Sequence, residues 1–307
     1  MGQYTLRRLL QMIPVVIGTT FIIFTMVWAL PGDPFAGKCG DRPCPPSYIA
    51  EQTARYNLDD PLLLQYVKYM GNLLTGDLGE TFRGTQVIDE LAVALPATLK
   101  LTTLAIVIEI IIGIGAGVLA GLRRGSFMDN LVLLSTLVVI SIPIFVIGYL
   151  AQFILGVQLG WFPPTVGRGA PWSDLILPAL VLASVSLAYV ARLTRTQLAE
   201  NMRADYVRTA TAKGLPRRQV VRHALRNSLI PVVTFIGIDF GALMGGAVVT
   251  EGIFNIKGVG GLVFGSIATR EGATVTAAIT FIVIVFLLVN LLVDLLYGVL
   301  DPRIRYE

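Results

Sequence analysis

Three carboxyl side chains stand where carboxyls are costly. Glu109, Asp239 and Asp294 fall inside or beside long apolar runs of this 307-residue chain. An acid in a greasy environment must face a helix-bundle interior, water or another subunit. There it can meet a cationic substrate, carry a proton, or act as a neutral hydrogen-bonding carboxylic acid. No Lys or Arg stands near these acids in sequence, so a proton relay is unsupported. The two cysteines, Cys39 and Cys44, frame "CGDRPC". That spacing suits a small disulfide-closed loop in an oxidising compartment, with a free pair as the alternative. Two cysteines do not make a zinc site, and His223, the single histidine, is far along the chain. "GVGG" at 258–261 lacks the strand–helix context of a nucleotide site, and no Walker-type Lys-Ser/Thr motif is present. The sequence therefore predicts no catalytic residue, metal or cofactor in this chain.

The elements that position these residues follow from composition. The chain is 54% hydrophobic and 14% charged, against about 25% charged in a soluble domain. Apolar runs near 9–30, 98–121, 131–157, 175–191, 229–250 and 273–299 are each able to cross a membrane as a helix. They lack the strict alternation of a barrel, so the expected fold is all-α and polytopic, with six spans. The first run is long and has no small-residue cleavage site before "LPGDP" (30–34), so it reads as a retained helix rather than a signal peptide. The net charge of +4 does not suggest nucleic acid, because the bases cluster beside the spans. Arg7, Arg8, Arg123, Arg124, the run from Arg192 to Arg226, Arg303 and Arg305 share one side, which the positive-inside rule makes cytoplasmic. Both termini are then expected inside, with His223 across the membrane from the cysteines.

The outer side receives residues 31–97, with nine acids against five bases. That length predicts short helices. "PPSYIAEQTARYNL" has a Pro start and weak apolar periodicity through Tyr48, Ile49, Ala54 and Leu58. "DDPLLLQYVKYMGNLL" has Asp59 or Asp60 to cap it and Leu64, Tyr66, Val67, Met70 and Leu74 as an apolar face. Within the spans, Gly113, Gly117 and Gly121 form one four-residue ladder and Gly237, Gly241 and Gly245 another. Such ladders let helix backbones approach closely. Pro14 and Pro143 fall inside spans, where each removes a hydrogen bond and favours a kink.

One charged stretch interrupts the apolar pattern. "RTATAKGLPRRQVVRHALRNSLIP" (208–231) carries Arg208, Lys213, Arg217, Arg218, Arg222 and Arg226 and no acid. A helix over about 192–213 is expected to end at Gly214, with a turn at Leu215–Pro216 and a second short helix from Pro216. The bases can fix topology, attract anionic lipid, or dock a soluble partner through Arg contacts.

The same stretch resembles the EAA loop of ABC importer permeases. "DYVRTATAKGL" (205–215) and "HALRNSLIP" (223–231) are similar to the dipeptide/oligopeptide/nickel branch, where Arg-Thr replaces the first two residues of Glu-Ala-Ala. "LPGDP", "NLDDPLLLQYVKYMGNLLTGDLGETF" (57–82), "LPATLKLT" (95–102), "SIPIFVIG" (141–148) and "GGAVVTEGIFNIKGVGGL" (245–262) extend the resemblance to the B-type permease subunit. Lys257 replaces the branch's usual Pro, and "REGATV" (270–275) departs from "RDYPVV".

The resemblance implies a type I importer permease with a MetI-like five-helix core over 98–299, a flanking helix over 1–30, an extracytoplasmic segment over 31–97 and a tail over 300–307. It implies a homologous second permease, two ATPase domains that bind ATP and Mg, and an extracytoplasmic binding protein that delivers peptide. The cytoplasmic loop 192–228 would couple to the ATPases through Thr209, Ala210, Ala212, Lys213, Gly214 and Leu215, with Arg208, Arg217 and Arg218 at its edges. Glu251, Phe254, Lys257 and Gly258 would belong to an external gate. The location is a bacterial or archaeal cytoplasmic membrane. A nickel-chelate permease stands as the alternative, and a membrane scaffold without transport as a further one.

Overall fold

In a computed structural model, residues 2–29, 36–39 and 44–300 are described. Backbone polar groups in hydrocarbon must be satisfied within their own segment, so long apolar runs fold as helices. In chain order these are α1 (Gly2–Trp28), α2 (Ala36–Cys39), α3 (Pro46–Tyr56), α4 (Leu62–Leu74) and α5 (Val87–Ile108). A π-helical segment, Glu109–Ile114, joins α5 to α6 (Gly115–Leu122). Then come α7 (Phe127–Ser141), α8 (Ile144–Ala151) with a π-helical extension Gln152–Gln158, and α9 (Ile176–Asn201). The last are α10 (Asp205–Ala212), α11 (Arg217–Ile253), α12 (Val259–Ala268) and α13 (Gly272–Leu300).

Five of the described stretches are long and apolar enough to cross a membrane: Thr5–Trp28, Val87–Leu122, Ile176–Asn201, Arg217–Ile253 and Gly272–Val293. The α7–α8 pair makes a sixth only as a broken span, bent by 102°. The chain is therefore an all-α multi-pass membrane protein. The third span was expected to be one helix kinked at Pro143. Instead α7 stops, Ile142 turns extended (φ −100°, ψ 127°), and Pro143 starts a new helix as its N-cap. Pro disfavours the α conformation in the residue before it, which ends the first helix outright. The "LPGDP" motif and Arg303 and Arg305 lie outside the described residues.

The chain divides into two compact units, one of residues up to Leu99 and from Asn255 on, the other Lys100–Phe254. In the first, α1 packs on α13 and α4. Tyr66 is the buried residue of α4. Its hydroxyl donates to the Ile17 carbonyl at 2.8 Å and lies 2.8 Å from the Thr20 hydroxyl. Tyr69 donates to Thr280 Oγ1 at 3.0 Å, and burial pushes its phenol up to about 12. The expected face of α4 is thus corrected: Leu64, Val67 and Leu74 are exposed, and the tyrosines do the packing. Pro61, not Asp59 or Asp60, is the N-cap. Asp60 pairs with Lys68 instead. Cys39 and Cys44 are disulfide-bonded, with Cα atoms 5.4 Å apart.

In the second unit α9 is the central post, packed by α6, α11, α7 and α8. Its small residues Ala179, Ala183, Ala188 and Ala191 are fully buried. The first glycine ladder faces it. A Cβ on Gly113 would lie 2.8 Å from Val190 Cγ1, and one on Gly117 only 2.6 Å from the Ala191 carbonyl oxygen. Gly121 is nearly as tight, at 3.1 Å from the Arg195 carbonyl oxygen. In the second ladder Gly241 is buried, whereas a Cβ on Gly245 would meet nothing within 4 Å.

Candidate functional site

The basic stretch folds as a corner between α9 and α11, both in the second unit. The helix expected over 192–213 is two helices, because Met202–Ala204 turns the chain between α9 and α10. The short helix expected from Pro216 is instead the start of the 37-residue α11, which continues through Pro231. Pro216 is its N-cap. Gly214 sits at φ +78°, a left-handed conformation that glycine adopts without strain. Its amide donates to the Thr211 carbonyl at 2.9 Å, and that of Leu215 to the Ala210 carbonyl at 3.2 Å.

The underside of this corner is apolar. Val207, Leu198, Val220 and Ala224 form a buried cluster, and Ala210 and Leu215 pack against it. Asn201 adds a polar strut: its amide donates to Ser228 Oγ at 3.1 Å, and Tyr206 donates to its Oδ1 at 2.8 Å. The outer face presents Arg208, Thr209, Ala212, Lys213, Gly214, Arg217 and Arg218, all exposed. Arg208 lies 3.5 Å from Asp205 in a fully wet i,i+3 pair. The nine residues singled out in sequence thus split into seven on the surface and two, Ala210 and Leu215, that hold the corner down.

The same unit brings two of the three intramembrane acids together. Glu109 opens the π-helical segment and is completely buried. Its carboxyl neighbours that of Asp239 on α11, and Ser186 of α9 neighbours Asp239. Asp294 lies on α13, and its side chain is outside what the structure describes. Sequence reasoning missed a further polar pair. Arg195, read only as a topology charge, donates through Nε and Nη2 to both oxygens of Asp129 at 2.9 and 2.8 Å. The signal available was Ser126-x-x-Asp129, a capping pattern before an apolar run.

Residues 113–306 match the family described as binding-protein-dependent transport system inner membrane component, and residues 1–102 match the N-terminal family of the same membrane components. The chain belongs to this permease family. Among its relatives are the dipeptide transport system permease protein DppB of Alkalihalophilus pseudofirmus, 37% identical over 99% of each chain, and the di/tripeptide transport system permease protein DppB of Pseudomonas aeruginosa, 39% identical over the whole of both. The oligopeptide transport system permease protein OppB of Salmonella typhimurium is 35% identical over the whole of both. Permease subunits of this family are transport components and not enzymes.

The permease's other notable stretch, 245–262, straddles the two units. In the second unit Glu251 and Phe254 are fully buried. The Phe254 carbonyl accepts from the Val166 amide at 3.0 Å. Gln152 donates to the carbonyls of Ile253 and Pro164 at 2.9 and 2.7 Å, so the π-helical extension of α8 clasps the end of α11. In the first unit Lys257 is exposed and Gly258 is buried as the N-cap of α12. The Val259 amide donates to Thr98 Oγ1 at 2.8 Å. Gln152 is a residue that sequence gave no reason to choose.

Proposed function

We propose that this permease is the membrane-spanning subunit of an ATP-driven, binding-protein-dependent importer of dipeptides or oligopeptides. End-to-end similarity carries the reading: relatives named for dipeptide, di/tripeptide and oligopeptide transport match essentially the full length at 37%, 39% and 35% identity. The chain forms half of a translocation path with a homologous second permease. Two ATPase domains hold ATP and Mg, and an extracytoplasmic binding protein supplies peptide. The protein sits in the cytoplasmic membrane of a bacterial or archaeal cell with both termini inside.

Residues 192–228 are the coupling loop within a core over 98–299. Arg208, Thr209, Ala212, Lys213, Gly214, Arg217 and Arg218 meet the ATPases, while Ala210 and Leu215 transmit the push to Leu198 and Val220 beneath. The exposed charged face over a buried apolar underside supports this role. Glu251, Phe254, Lys257 and Gly258 belong to the external gate, and residues 31–97 lie on the side that receives peptide.

The test is ATP-dependent uptake of labelled di- and oligopeptides into proteoliposomes holding the full complex. Wild type is compared with Gly214→Trp, which blocks the corner, and with Arg217→Glu/Arg218→Glu, which reverses charge on an exposed surface. Uptake that needs ATP and fails in both folded variants supports coupling at this loop. Uptake and ATP turnover indifferent to both variants would overturn it, and turnover stimulated by a nickel chelate but not by peptide would overturn the peptide assignment.

A further inference from the structure

The tyrosines of α4 show how deep that helix sits. α1 is a span from Thr5 to Trp28. Along it Ile13, Ile17, Thr20 and Phe24 recur at helical spacing and share one face. The rings of Tyr66 and Tyr69 both pack on Phe24, with centroids 5.7 and 5.3 Å away. Phe24 is four residues, roughly 6 Å, below Trp28 toward the middle of the span. The Tyr66 hydroxyl reaches deeper, to Ile17 and Thr20. α13 gives the same level. A Cβ on Gly272, at its start, would lie 2.8 Å from Val27 Cγ1, while Thr280, the partner of Tyr69, is eight residues further along. So α4 crosses both spans below Trp28, within their apolar length.

α4 has three faces. Tyr66, Tyr69 and Met70 meet α1 and α13. Gln65, Lys68 and Asn72, three and four residues apart, form a polar face. Gln65 and Asn72 line a cavity of about 60 Å³ together with Trp28 and Tyr56, so this face is turned toward the Trp28 end of α1. Leu63, Val67 and Leu74 form the third face and are 66%, 58% and 86% exposed. By helical rotation it lies next to Tyr66 and Met70, the side chains that reach deepest, and opposite Asn72. It is therefore turned away from Trp28, toward the middle of the span.

This sorting of polarity along α1 decides what covers the third face. Where α4 crosses the α1 stripe, Thr20 and Phe24 are buried; below it Ile13 and Ile17 are exposed. The exposed part of the stripe and the apolar face of α4 thus join into one apolar surface with a corner between them. α1 is also the least buried of the five described spans. A protein partner would not require Gln65, Lys68 and Asn72 at one level and Leu63, Val67 and Leu74 at another, whereas the boundary between water and hydrocarbon does. A helix with Lys on its polar face and Leu and Val on the other is suited to lie in that boundary. Trp and Tyr favour the same level, and there Trp28 packs on Tyr56 with ring centroids 5.5 Å apart.

We propose that α4 is an interfacial helix sunk into the bilayer leaflet nearer Trp28, with lipid acyl chains packed on Leu63, Val67 and Leu74 and in the corner they make with Ile13 and Ile17. Lipid is then a structural partner of the segment between the first two spans. α4 holds that segment at a fixed depth, tied to α1 by Tyr66 and to α13 by Tyr69.

Two readouts test this on the assembled transporter in lipid nanodiscs. The first uses spin labels. Cys39 and Cys44 are bonded to each other, so in this chain an added cysteine is labelled alone, and the unsubstituted transporter gives the background. Labels on Leu63→Cys, Val67→Cys and Leu74→Cys should meet oxygen more than a water-soluble chromium complex, a ratio above unity. The label on Asn72→Cys should show a ratio below unity. Ratios below unity at all four positions would overturn the proposal in favour of a water-exposed helix. Labels at 63, 67 and 74 that are immobile and shielded from both reagents would overturn it in favour of a protein partner. The second readout needs no substitution. Lipid carrying a photoreactive diazirine midway along one acyl chain should leave adducts on residues 62–74 as well as on α1. Adducts on α1 with none on 62–74 would overturn the proposal. Neither readout uses peptide uptake, so a failure here and a failure of the import reading are separate.

Discussion

Arg195 of α9 grips Asp129 of α7 with two parallel hydrogen bonds, at 2.9 and 2.8 Å, and Asp129 Oδ2 also accepts the Gly125 amide at 2.8 Å. The carboxylate is nearly sealed, with 2% of its side chain exposed against 17% for the arginine. It therefore performs two tasks: it closes the turn before α7 and fixes that turn to the central helix.

Removing the arginine strands a buried charge. Arg195→Leu should destabilise the folded protein in detergent by about 3 kcal/mol, the lower end for breaking a buried pair. Asp129→Asn should cost less, because the amide oxygen still accepts from Gly125. A double-mutant cycle in thermal unfolding measures the coupling. A coupling near zero would mean the pair is only geometric.

Gly117 and Gly245 should respond oppositely to an added methyl. Gly117→Ala drives a methyl against the Ala191 carbonyl and against Thr194 Cβ, 2.5 Å away, and should cost about 1–3 kcal/mol as overpacking. Gly245→Ala meets open space in this chain and should be neutral or stabilise by up to about 1 kcal/mol. Thermal unfolding of both variants of the isolated subunit, side by side, checks the contrast.

Outside the spans, Arg55 holds the Glu80 carboxyl below its ordinary value, chiefly through their side-chain hydrogen bond. The sign follows. A depressed carboxyl contributes stability that is present above its unfolded value near 4.5 and is lost as pH falls through the lower folded value. The pair is solvent-exposed, so the effect is small. Proteolysis of the 44–86 region should quicken modestly below that pH in wild type, and Arg55→Met should remove the pH dependence. An unchanged profile in Arg55→Met would refute the assignment.

Helices were readable from sequence where apolar length alone dictates them, as in α1, α9 and α13. Where the chain turns depended on local backbone physics: Pro143 was visible, but its power to stop α7 at Ile142 exceeded a kink. Conversely, a short helix was expected from Pro216, yet α11 runs on unbroken from Arg217 through Pro231 to Ile253, and on the way the Ser228 hydroxyl donates to the Ala224 carbonyl. At the corner the turn was legible, since Gly214 has a conformational reason to be glycine, while the helices on either side of it were not. Glu109 and Asp239 were each conspicuous, but nothing linear links positions 109 and 239. Their meeting, like that of Arg195 with Asp129, depends on how three helices are rotated against one another.

The unbroken course of α11 has a mechanical meaning. At about 1.5 Å per residue, its 37 residues make a rod of roughly 55 Å, well beyond the ~30 Å hydrocarbon thickness. Arg217 and Arg218 stand at one tip and Ile253, clasped by Gln152, at the other. Pro231 is the point along that rod where a ladder hydrogen bond is missing. The two ends of α11 therefore belong to one continuous rod, and Pro231 is the point along it that bends most readily.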